Sequence, residues 1–158
     1  MKIKFTFWSL CLLVVALQSC TNNALTDVFT SIPNQHWTYA QPCKSNLEII
    51  DIHKKYNILI NLRHTDDYRY SNIWFKISII QPNKHKKTER IAFSIASPDG
   101  TWLGNTSGSL FTYQLPYKLN YNFAAKGKYT IVVEQNMRDN PLNGINDVGI
   151  RVEEVEEK

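Results

Sequence analysis

The sequence predicts an all-β domain, an antiparallel two-sheet β-sandwich of immunoglobulin-like or jelly-roll-like arrangement. Three observations carry the prediction. Several segments alternate apolar and polar residues with a period of two, the pattern of a strand buried on one face. Turn-forming clusters such as Asp66-Asp67 and Ser97-Pro98-Asp99-Gly100 separate them at short intervals. Past the first twenty residues no stretch keeps apolar residues at the three-and-four spacing of a helix, and no internal repeat occurs.

The chain begins differently. Lys2 and Lys4 precede an apolar run from Phe5 to Leu17, too short to span a membrane as a helix, and the run closes on Leu17-Gln18-Ser19-Cys20. That tetrad resembles a bacterial lipobox. The expectation is a signal peptide over 1–19, a covalent lipid on Cys20, a polar tether over 20–27 and one sandwich domain over 28–158. Gln18 departs from the small residue usual at its position. With several acyl chains on one residue, the membrane attachment is effectively permanent. Thr21-Asn22-Asn23 is unlike the acidic cluster that marks surface export in related bacteria, so an outer-membrane anchor with the domain facing the periplasm is expected.

From Val28 the chain turns apolar, and Trp37 and Tyr39 alternate with His36 and Thr38, predicting a first strand. Tyr56, Ile58, Ile60, Leu62 and His64 share one parity, predicting a second. Ile73, Phe75, Ile77 and Ile79 predict a third, and the two are expected to pair as a hairpin across Asp66-Asp67. Ile91, Phe93 and Ile95 predict another strand, then Phe111, Tyr113 and Leu115 up to Pro116. Tyr117–Phe123 reads as irregular. Tyr129, Ile131 and Val133 predict a strand, as do Val148, Ile150 and Val152, after which the glutamate-rich end is expected to fray or shield an edge.

Composition excludes several functions. Cleavage before Cys20 leaves 158 − 19 = 139 residues and removes Lys2 and Lys4 from the 18 basic side chains, against 14 acidic ones, for a formal charge of +2. Nucleic-acid binding is not expected, because the dense basic cluster Lys84-His85-Lys86-Lys87 adjoins Pro82-Asn83 and reads as a solvated loop tip. Cys43, the remaining thiol, reads as a small buried hydrophobe. No G-x-S-x-G elbow or metal-ligand spacing occurs. His64, near Asp66 and Asp67, falls on the apolar parity and reads as a hydrogen-bonded, half-buried structural histidine. The oxygen-rich stretch Asp139–Asp147 lacks the spacing of an EF-hand. No enzyme, no metal and no cofactor beyond the lipid on Cys20 is expected.

Two surfaces could bind something else. Trp74, on the parity opposite Ile73 and Phe75, and Trp102 are the aromatics able to face a glycan or small ligand. The stretch Met137–Asp147 must run over the surface to solvate its backbone, and Met137, Arg138, Leu142 and Ile145 are the residues read as partner-binding. The competing reading folds the three apolar groups back to cap the sandwich.

Several stretches together resemble one family, the gliding-motility lipoproteins of the GldH type from Bacteroidetes. They are Asn61-Leu62-Arg63-His64-Thr65, Tyr68-x-Tyr70-x-Asn72, Asp99-Gly100-x-Trp102-Leu103-Gly104, Gly127-x-Tyr129, Gln135-x-Met137-Arg138 and Leu142-x-Gly144-Ile145-x-Asp147-Val148-Gly149. The resemblance implies an anchored envelope lipoprotein, without enzymatic activity, associated with the gliding apparatus and the secretion machinery linked to it.

Overall fold

The computed structural model describes residues 23–156. Cys20 and the signal peptide lie outside them. The strands are β1 (Ala24–Ser31), β2 (His36–Trp37), β3 (Cys43–Ile49), β4 (Tyr56–His64), β5 (Asn72–Ile80), β6 (Lys86–Ser94), β7 (Asn105–Ser107), β8 (Leu110–Tyr121), β9 (Gly127–Gln135), β10 (Leu142–Asn143) and β11 (Ile145–Glu154). One sheet runs β1-β11-β4-β8-β7, a second β3-β9-β5-β6, and β10 pairs with β2 in a small third ladder. All pairs are antiparallel. The two large sheets face each other as the expected sandwich.

Period-two patterning explains the core. Ile58, Ile60 and Leu62 of β4 and Val148, Ile150 and Val152 of β11 turn inward from one sheet. Ile73, Phe75 and Ile77 of β5 and Ile131 and Val133 of β9 meet them from the other. Cys43 joins this core with no exposed surface, and its burial raises the thiol pKa.

Four expectations are corrected. β4 and β5 do not pair: they lie in opposite sheets, and the connection over residues 65–71 crosses the roughly 10 Å between layers. Alternation says which face is buried, not which strand is the neighbour. β1 begins at Ala24, inside the stretch read as tether, and pairs with β11 as far as Ser31. Its inward positions are mostly small or polar, and Thr26 Oγ lies 2.8 Å from Ser45 Oγ of β3, so no apolar stripe announces it. The strand read from Trp37 to Tyr39 is two residues, β2. The C-terminal glutamates do not fray at once: Glu153 and Glu154 complete β11, a central strand flanked by β1 and β4. Arg151 anchors that stretch, donating 2.8 Å bonds to Asp27 and Glu153.

β3 escaped sequence reading, and β8 is longer than expected. β3 alternates buried and exposed residues throughout, but polar Ser45 occupies an inward place. β8 continues through Pro116 to Tyr121, where an irregular segment was expected. Proline is tolerated because β7 pairs only with residues 110–112, leaving the rest of β8 an edge.

The sandwich has two chemically distinct ends. Asn23, Tyr56, Tyr121 and Glu154 meet at the end where the chain enters the fold, the proximal end. Ser31, His64 and Ile145 mark the distal end, about 26 Å away at the rise of a nine-residue strand.

Candidate functional site

Most of the stretches that carry the family resemblance gather at the distal end, in the loops over 32–42, 65–71, 95–104 and 136–144 and the strand ends beside them. At the centre stands His64, fully buried among rings. Trp102 meets it edge-on at 4.4 Å, Phe111 and Tyr113 stack at 5.3 and 5.4 Å, and Tyr68 tilts against it at 5.2 Å. Nδ1 donates to the Thr65 carbonyl at 2.8 Å, and Nε2 lies 3.2 Å from the Tyr113 hydroxyl, which donates to the Ile95 carbonyl. Burial lowers the pKa of this imidazole and favours the neutral ring. The Tyr113 hydroxyl has one proton to share between the Ile95 carbonyl and Nε2, and the Thr65 bond fixes the ring as the structural reading expects. Asp66 serves Trp102 instead, accepting its indole N–H at 3.3 Å.

Beside it, on the outer face, Arg63 and Asp147 sit opposite each other across β4 and β11. The guanidinium Nε donates to both carboxylate oxygens at 2.8 Å, and Nη2 reaches Oδ2 at 2.6 Å. Asp147 is almost wholly buried, so losing Arg63 would strand a desolvated charge.

The segment from Asn136 to Gly144 has no helix or long strand of its own and is held by side chains. Gln135 is buried, donates to the Asp139 carbonyl at 3.0 Å and accepts the Met137 N–H at 2.9 Å. Tyr39 donates its hydroxyl to the Met137 carbonyl at 2.6 Å and its N–H to Asn140 at 3.0 Å. Tyr70 donates to Asp139 at 2.5 Å. Gly144 ends the segment at φ +83°, where an added Cβ would sit 2.5 Å from the Tyr68 nitrogen, so only glycine lets the loop lie on that backbone.

This framework sorts the residues read as partner-binding. Leu142 and Ile145 are buried in the core, so for them the capping alternative holds and neither offers an apolar contact to a partner. The reason is local: β10 pairs with β2 and carries Leu142 inward beneath the loop. Met137 is half-buried and Arg138 exposed. Both line a cleft of about 450 Å³ with Tyr70, Asn72, Trp74, Arg90, Asn136 and Asp139. Trp74 is half-buried there, its backbone N–H donating to Met137 Sδ at 3.2 Å and one ring face covered by the Arg90 guanidinium at 4.1 Å. Trp74, Met137 and Arg138 therefore belong to one surface, which their separation in sequence conceals. Arg90 of β6 completes it. Trp102 lies apart from this cleft, packed on His64, and is not an open stacking platform.

A second, polar cleft of about 480 Å³ lies between Asn34, Gln35, His36, Asp66, Asp67, Arg69, Asn143 and Gly144. Asn34 and Gln35 both adopt positive φ at its rim, 53° and 59°. Among the described residues no group of three or more His, Cys, Asp or Glu side chains is placed to hold a metal ion.

Comparison with known proteins agrees with the family resemblance. The chain is 31% identical over 160 residues to a gliding motility lipoprotein GldH homolog of Christiangramia forsetii, covering 97% of this chain and 98% of that one. It is 31% identical over 152 residues to the gliding motility lipoprotein GldH of Flavobacterium johnsoniae, covering 92% and 94%. Among solved structures, the non-crystalline cellulose specific carbohydrate-binding module CBM28 aligns over 88% of this chain and 78% of that one. The identity is 7% and the TM-score 0.46, a likeness that carries neither fold nor ligand to this protein. The family described as GldH lipoprotein matches residues 24–152, which is β1 to near the end of β11. With a family match over most of its length and two relatives at this identity, the chain belongs to the GldH lipoprotein family.

Proposed function

We propose that this gliding-motility lipoprotein is a non-enzymatic component of the cell envelope that docks to other envelope proteins through the distal cleft of Trp74, Arg90, Met137 and Arg138. The lipid on Cys20 holds it to the outer membrane with the domain in the periplasm, where it serves gliding or the protein secretion linked to it. The observation that carries the docking role is the preorganised loop from Asn136 to Gly144. Side-chain bonds from Gln135, Tyr39 and Tyr70 fix it before any partner arrives, so little entropy is lost on association. Its exposed product is an arginine beside a tryptophan, a methionine and a second arginine, residue types enriched where protein interfaces concentrate their energy. A saccharide platform is less well served, because Arg90 already covers one face of Trp74.

The test uses crosslinking in intact cells. Arg138→Ala should leave folding and melting unchanged and remove the crosslinked envelope protein. Leu142→Ser should lower stability by about 3 kcal/mol through its buried site, with capture falling only as the folded fraction falls. Capture unchanged by Arg138→Ala and Trp74→Ala together would rule out this face as the docking surface.

A further inference from the structure

The two ends differ in charge as well as in shape. The distal loops over 32–42, 65–71, 95–104 and 136–144 contain no lysine, and their charged groups are Asp66, Asp67, Asp99 and Asp139 against Arg69 and Arg138. The proximal end carries Lys54 and Lys55 from the β3–β4 loop, Lys84, Lys86 and Lys87 from the β5–β6 hairpin, and Lys126 and Lys128 where β9 begins. All are exposed. Of its acidic groups, Glu154 pairs with Lys54 at 2.5 Å, Glu153 with Arg151 at 2.8 Å, and Glu89 with Lys87 and Lys118 at 3.0 and 2.7 Å, while Glu48, Asp51 and Glu156 make no ion pair among the described residues. Lys55, Lys84, Lys86, Lys126 and Lys128 make no ion pair among the described residues. Ile50, 75% exposed, and Leu119, 59% exposed, stand at the same end.

The chain itself says what lies opposite. Asn23 is bonded to Glu154 at this end, and Cys20 precedes it by three residues, a reach of at most about 11 Å. A lipid on Cys20 thus keeps the headgroup plane within about 11 Å of Asn23, close enough for the proximal end to rest on it. We infer that the proximal end is a seat for anionic phospholipid headgroups, with the lysines meeting their charge and Ile50 and Leu119 entering the interface. The inference rests on the lipid-anchored reading of Cys20 and goes beyond it. A flexible tether alone would let the domain tumble, whereas a seated domain holds its docking cleft away from the membrane. Tethering makes the contact intramolecular, so modest attractions suffice. Each lysine near an anionic surface favours the seated orientation about fivefold.

The test uses the lipidated full-length protein on vesicles, with a fluorescent donor and a headgroup-labelled acceptor lipid. The donor is attached at Ile50→Cys in one sample and at Ser107→Cys, on the distal hairpin β7–β8, in another. Cys43 is buried and stays unlabelled. With phosphatidylglycerol in a phosphatidylcholine vesicle, transfer from position 50 should be high and transfer from 107 low. Replacing Lys84, Lys86 and Lys126 by glutamine, raising salt, or using phosphatidylcholine alone should each narrow that difference by at least about twofold. Flotation with the vesicles reads the anchor separately. Protein that floats yet transfers equally from both positions, or is indifferent to the anionic lipid, overturns the seat. Protein that does not float overturns the lipid anchor, and the seat with it.

Discussion

The proximal and distal ends of this sandwich both close a two-layer core with packed rings, but the distal end adds buried polar groups. The proximal end is sealed by rings: Phe123 packs edge-on against Tyr56, Tyr121 and Tyr129 at 5.3, 5.0 and 4.7 Å. The distal end buries His64, Thr65, Gln135 and Asp147, each with its hydrogen bonds met. Apolar closure asks only for volume. Polar closure demands that particular backbone groups stand in particular places, and so it fixes loops that packing alone would leave free. Most of the stretches that carry the family resemblance collect at the distal end.

The comparison can be broken by substitution, beginning with the largest expected effect. Phe123→Ala should cost about 4 kcal/mol in denaturant melting, as loss of a buried ring does, and should alter partner capture only through the folded fraction. Gly144→Ala should cost about 3 kcal/mol, since the Cβ meets the Tyr68 backbone and the positive φ disfavours any side chain. Unlike the first, it should also shift the amide resonances of residues 136–143 in protein that remains folded.

A smaller effect sharpens the contrast through pH. The pKa of His64 is lowered from 6.5 in the folded state, so the unfolded chain takes up the proton first. Above pH 6.5 stability should be indifferent to this group, and as the pH falls below 6.5 it should decline until the folded value is passed. His64→Gln should lower stability at pH 7 by about 1–2 kcal/mol and flatten that decline, read from melting curves at successive pH values. The smallest effect belongs to Arg138→Ala, which should change stability by less than about 0.5 kcal/mol while removing docking.

How much was legible in the sequence follows the same division. The strands with uninterrupted apolar parity, β4, β5, β9 and β11, were readable because each buries one face completely. β1 and β3 were not, because Thr26 and Ser45 satisfy each other across the layers and so replace the apolar residues that would have marked inward positions. The β4–β5 pairing failed because strand partnership is decided by the length of the connection and the other sheet's demands, neither visible in local pattern. His64 was placed correctly by parity alone. Of the residues read as partner-binding, Leu142 and Ile145 were misplaced, because a short segment gives no sign of whether its apolar groups turn in or out until β10 pairs with β2. Arg90 could have been found only by knowing that β6 lies beside β5, which sets Arg90 near Trp74 across the ladder.

The proposed division of labour has the distal end binding protein and the proximal end facing lipid. A photo-crosslinking amino acid placed in turn at Arg138 and at Lys84, both exposed, tests it directly in intact cells expressing the protein at native level. One discrete protein adduct is expected from position 138, abolished by Trp74→Ala, and lipid adducts without a protein partner from position 84. The same protein adduct from both positions, or one from position 84 alone, would contradict it.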